Sequence, residues 1–187
     1  QGTDTLNGSL ARATGEAVGT YALSSTLTNT NYAVTFVPAD LTITARAITV
    51  TADAKSKTYG DADPALTYAV TSGALQGADT LSGSLARAAG EAVGTYAISS
   101  TLTNSNDAVA FVRADSTIVA RAITVTADAK SKTYGDTDPA LTYAVTSGAL
   151  QGADTLGGSL ARAAGEAVGA YAISSTLANS NYAVTFV

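Results

Sequence analysis

Two octapeptides hold most of the groups in this chain that could bind or react: KTYGDADP at 57–64 and KTYGDTDP at 132–139. Asp61 and Asp63 in the first could share a calcium ion, which takes clustered carboxylate and carbonyl oxygens. The pattern falls short of an EF-hand loop. It has no third side-chain ligand, no glycine at the sixth position and no closing glutamate. A turn accounts for the same residues more simply. Glycine supplies an unusual dihedral, an aspartate before proline suits a turn, and the tyrosine offers a ring to bury in the core. The octapeptide is therefore read as a structural turn motif: Tyr59, Gly60, Asp61, Asp63 and Pro64, repeated as Tyr134, Gly135, Asp136, Asp138 and Pro139. Calcium at Asp61 and Asp63 is the lesser alternative, and no cofactor is expected.

Other reactive groups are weighed in the same way. Glu91 lies between glycines in GEAVGTY (90–96). A retaining glycosidase needs a second carboxylate about 5 Å away, and no spacing here defines one. The simpler expectation is a turn whose glutamate caps a backbone group. Lys55 or Lys57, with Asn104 or Asn106 and Glu91, contains the parts of a lysine–asparagine crosslink, as some surface adhesins form. The DAKSK lysines read more simply as a solvated loop. Tyr68 and Tyr96 fall on apolar faces and are expected in the core, and the tryptophan that sugar platforms favour is absent. The NGS at 7–9 matches a glycosylation pattern, but the other copies read SGS and GGS.

Composition removes several chemistries. The chain has no Cys, His, Trp or Met. Disulfides and thiolate nucleophiles are excluded, as are a Ser-His-Asp triad and imidazole metal ligands. No enzyme activity is expected. A net charge of −5 with 13% charged residues argues against nucleic acid, because phosphate contacts need clustered Lys and Arg. No apolar run is long enough to cross a membrane as a helix, so no membrane insertion by this segment is expected.

The elements that must position these residues recur. QGTDTL starts at Gln1, and QGADTL starts at Gln76 and again at Gln151, which sets a period of 75 residues. Within one period, AITVTADA, ALTYAV, TLSGSLAR, GTYAISS, DAVAFVR and STIVAR alternate apolar and polar residues, the pattern of half-buried strands. Gly-, Asn-, Asp- and Ser-rich stretches separate them, and no long helical period appears. GSLARAAGEA could hold a single helical turn. The natural boundaries fall after Arg46 and Arg121. Residues 1–46 are then the C-terminal part of a module, 47–121 a complete module, and 122–187 a module lacking its last strand. The junction LTITARAITVTA (41–52) has no Gly, no Pro and no polar linker, so adjacent modules should be joined stiffly.

The run ITVTADAKSKTYGDADPALTYAVTSGAL, followed by GSLARAAGEAVGTYAISS, resembles the MBG repeat of the YGX type. The Y-G-X is Tyr59-Gly60-Asp61 and Tyr134-Gly135-Asp136. The resemblance spans the full period. It implies a mainly β fold of tandem β-grasp-like modules, in tandem runs in large bacterial surface and secreted proteins, often adhesins. An elongated rod follows from the stiff junctions. One departure stands out: Tyr32 and Tyr182 correspond to Asp107 in the complete copy, so that tyrosine is not required for folding.

The expected function is structural, a stalk or spacer of a bacterial extracellular adhesin or surface fibre. The rival is a carbohydrate- or mucin-binding module shown many times, for which multivalency would supply avidity. Expected partners are adjacent repeats of the same chain, and host or matrix glycans under the rival reading. Because the chain opens and closes inside repeats, a longer parent is expected. Residues 38–46 match the strand that 122–187 lacks, so self-assembly into filaments by exchange of that strand is a further expectation.

Overall fold

The structure, a computed structural model, describes residues 2–187. It is mainly β, and among the described residues there is no helix. Fifteen strands follow one another: β1 Leu10–Arg12, β2 Gly19–Ser25, β3 Asp40–Ile43, β4 Arg46–Ala52, β5 Lys55–Thr58, β6 Tyr68–Ser72, β7 Leu85–Arg87, β8 Gly94–Ser100, β9 Asp107–Val112, β10 Asp115–Val119, β11 Arg121–Ala127, β12 Tyr143–Ser147, β13 Leu160–Arg162, β14 Ile173–Ser175 and β15 Tyr182–Phe186. GSLARAAGEA makes a short strand and a bend, not a helical turn, in keeping with its glycines.

The chain divides into two compact units: residues 1–52, 68–85 and 100–112, and residues 53–67, 86–99 and 113–187. In the first unit, β1-β2-β3 form an antiparallel sheet, and β4 lies between β6 (antiparallel) and β9 (parallel). The sequence RAITVTA dictates β4. Ile48 and Val50 point to one face and are buried, while Thr49 and Thr51 alternate with them. Ile48, Val50 and Leu102 form the core, with Leu81, Leu85, Val109 and Phe111 packed on it. No described residue before Ile48 is buried.

In the second unit, RAITVTA recurs as β11, between β12 (antiparallel) and β15 (parallel). Ile123, Val125, Leu156 and Tyr182 form its core. A second sheet runs β5-β10-β8-β7, apart from Leu85 and Ser100, which fall in the first unit. Here β10 pairs in parallel with β5 and antiparallel with β8. Ile98, Ser116 and Ile118 are buried in it. Strands β13 and β14 form a two-stranded sheet with no third member.

Two expectations are corrected. DAKSK is no solvated loop in the complete copy: Lys55 to Thr58 form β5, and Lys57 is buried. The signal was missed because lysine and serine mask the strand alternation. Tyr68 is exposed rather than core, as is all of β6, an edge strand. The junctions are short. Only Thr44 and Ala45 separate β3 from β4, and only Ala120 separates β10 from β11.

Candidate functional site at the joint between repeats

The octapeptide KTYGDADP makes a turn. The Asp61 N–H donates to the Thr58 carbonyl at 3.0 Å, and Gly60 has φ +83°. An L side chain resists that conformation. In the second copy the Asp136 N–H donates to Thr133 O at 3.1 Å, with Gly135 at φ +93°.

Tyr59 does not turn into the core of its own repeat. Its ring packs against the cluster of Ile123, Val125, Leu156 and Tyr182, which belongs to the following repeat. It meets Tyr182 edge-on, with ring centroids 5.5 Å apart. Its hydroxyl donates to Asp154 Oδ2 at 2.9 Å, and the Tyr182 hydroxyl donates to the same oxygen at 2.6 Å. Tyr182 in turn accepts from the Gln151 N–H at 2.7 Å. From the other side, Arg121 Nε donates to the Tyr59 carbonyl at 2.7 Å, and its guanidinium pairs with Asp61. The Val93 N–H donates to Asn181 Oδ1 at 3.0 Å, and the Arg121 N–H to Asn181 O at 3.0 Å. All of these residues lie in the second unit.

The remaining acid, Asp63, belongs to an ion cluster. Lys57 lies 2.6 Å from Asp63 and also pairs with Glu91, while Arg87 lies 2.9 Å from Asp63 and 2.5 Å from Glu91. Arg87 also stacks over Tyr96 at 4.9 Å. Glu91 thus caps no backbone group; it closes a four-membered charge network. The third repeat repeats it with Lys132, Asp138, Arg162 and Glu166 at 2.7–2.9 Å. Its cations are more open. Their side chains are 22% and 21% exposed, against 4% for Lys57 and 8% for Arg87.

These contacts set the protonation chemistry. Lys57, then Arg87, hold the Asp63 and Glu91 carboxyls below their ordinary values, and Asp63, then Glu91, hold the Lys57 ammonium above its own. Lys132, then Arg162, lower Asp138 and Glu166 in the same way. The hydrogen bond to Asp154 raises Tyr59, whereas burial first and then Asp154 raise Tyr182. Such a network holds charge in place and presents no poised acid or base. Asn104 donates to Thr80 O at 2.9 Å and accepts from the Asn106 N–H at 2.7 Å, and Asn106 Oδ1 accepts from the Val18 N–H at 3.2 Å.

The turn residues were legible in sequence. Their receivers, Arg121, Gln151, Asp154, Asn181 and Tyr182, were missed, although the 75-residue period repeats most of them. The substitution of Asp107 for Tyr182 was the one signal that this position faces something outside its own repeat.

The family model for the MBG domain (YGX type) matches residues 1–42, 48–117 and 123–187. The chain belongs to this family, as a tandem run of its modules. No curated protein and no solved structure matches the chain.

Proposed function

We propose that this chain is a structural segment of a bacterial extracellular adhesin stalk or surface fibre, a non-enzymatic spacer that holds its repeats in fixed succession as an elongated rod. The observation that supports this most is the use of the YGX motif. Tyr59 is spent on gripping the next repeat through Asp154 and Tyr182, while Arg121, the last residue of its own repeat, holds the turn through Asp61. A motif with that task leaves its groups bonded and its ring covered. The partners are then the neighbouring repeats, and length changes by whole modules with each joint unchanged. Small-angle scattering on arrays of increasing repeat number tests this. The maximum dimension should grow by a constant step per repeat; a radius that levels off would overturn it. Labelling intact cells for the native protein tests its surface position.

The glycan-binding reading has one feature in its favour, a groove of about 980 Å³ in the 122–187 repeat that includes Tyr134, Asp138 and Glu166. The corresponding position in the complete repeat is filled by β10, which weighs against a site offered by every copy. A glycan array probed with the whole chain separates the two readings.

A further inference from the structure

We propose that the joint at Tyr59 is an oxidative crosslinking site, where Tyr59 and Tyr182 couple into dityrosine and fasten one repeat covalently to the next. Composition prepares this. The chain has nine tyrosines and no Cys, Met, Trp or His. Cysteine and methionine are common targets of oxidants. Without them, and without indole or imidazole, the phenols are the side chains that give up an electron most readily.

The fold sets one pair of phenols apart. Tyr21, Tyr96 and Tyr171 each lie under an arginine and donate to a backbone carbonyl. Tyr68 and Tyr143 stand on the edge strands β6 and β12. Tyr59 and Tyr182 instead face each other, with ring centroids 5.5 Å apart and the rings inclined at 75°. Both hydroxyls donate to Asp154 Oδ2, at 2.9 and 2.6 Å. A dityrosine bond joins the ring carbons next to the two hydroxyls, and a single oxygen that accepts from both phenols draws those ends together. The same oxygen faces both O–H protons, so it can take a proton as an electron leaves. Tyr59 is half-buried, which leaves one side of the pair within reach of solvent. Tyr182 is 6% exposed, so its radical is shielded from other chains and meets Tyr59 first.

The oxidant is a peroxide acting through a haem peroxidase. Each phenol gives one electron to it and passes its hydroxyl proton, by way of Asp154, to water. The two phenoxyl radicals then form one carbon–carbon bond. The hydrogen on each joined carbon moves to the phenolic oxygen, which restores both hydroxyls. One hydrogen peroxide takes up the two electrons and two protons and leaves as two waters, and the chain is lighter by two hydrogens. The site depends on one residue of the following repeat. The 47–121 repeat carries Asp107 in the place of Tyr182, and a joint onto a repeat of that kind has no second phenol and stays non-covalent. The proposal does not rest on the stalk reading, because both phenols belong to one chain whatever that chain is for.

The test treats the whole chain, at high dilution, with a haem peroxidase and hydrogen peroxide. Dityrosine fluorescence should appear in the monomer fraction, with the intact mass reduced by two hydrogens. After trypsin, peptide 58–87 should be found joined to peptide 163–187. Those peptides also hold Tyr68 and Tyr171, so variants assign the bond. Tyr59→Phe and Tyr182→Phe, which keep the ring, should each abolish the monomer signal, and Tyr68→Phe should leave it in place. The same treatment in denaturant should scatter the coupling over many tyrosine pairs. Fluorescence confined to multimers, a monomer signal that survives Tyr59→Phe, an equal yield of the 58–87 to 163–187 link in denaturant, or no coupling where free tyrosine couples would overturn the proposal.

Discussion

Tyr59 and Tyr134 occupy the same place in octapeptides that differ at one residue, Ala62 against Thr137. One is half-buried, bonded to Asp154 and stacked on Tyr182; the other is the most open tyrosine among the described residues. Both turns close with the same hydrogen bond and the same positive φ at glycine. The turn is thus local, built by its own residues, while the burial of the tyrosine is conferred by the next repeat. The ion clusters give the same lesson. Lys57 and Arg87 are closed in where β10 completes its sheet, and Lys132 and Arg162 stand open where no such strand lies beside them.

The comparison breaks most clearly at the tyrosines. Tyr59→Ala removes a packed ring and a hydrogen bond and should lower the unfolding midpoint by several degrees, whereas Tyr134→Ala should move it by about a degree or less. Thermal melts of the two variants check this. The glycines sharpen it. A Cβ at Gly60 would lie 2.6 Å from Gln151 Cγ, while one at Gly135 would meet nothing within 4 Å. Both positions carry the dihedral strain, about 1–2 kcal/mol for an L residue. Gly60→Val adds a clash across the joint, so denaturant titration should place it below Gly135→Val. A smaller gap is expected between Lys57→Met and Lys132→Met, with the greater loss at Lys57, whose removal leaves Asp63 and Glu91 facing only Arg87.

The pH dependence has two limbs. Asp63, Glu91, Asp138 and Glu166 are lowered in the folded chain. Their contribution is complete above the ordinary carboxylate range of about 4 and is lost as pH falls through the lowered values. Tyr59 and Tyr182 are raised. Their contribution is complete below about 10 and is lost as pH rises through the raised values. Lys57 and Lys132 are raised as well and share the alkaline limb, so Tyr59→Phe should shrink that limb without abolishing it and leave the acid limb unchanged in a series of melts from acid to alkali.

Much of the strand pattern was legible, because Ile48, Val50, Ile98 and Ile118 alternate with polar residues and the structure buries all four. The turn at 57–64 was legible too, since glycine and Asp-Pro have local causes. The destination of Tyr59 was not. An aromatic in a turn reads as a core residue, and sequence gives no sign of which core it enters when the nearest partners, Asp154 and Tyr182, lie in another repeat. Strand β5 was hidden for a related reason. Its lysine is buried by charge pairing with Asp63 and Glu91, and periodicity sees only apolar burial.

The central claim is that Tyr59 joins its repeat to the next through Asp154. A double-mutant cycle on the full chain, with Tyr59→Phe, Asp154→Asn and both together, tests it most directly by denaturant unfolding. The claim predicts that the double variant is more stable than the sum of the single losses implies, by more than the roughly 0.5 kcal/mol within which independent sites add. Additive losses would contradict it.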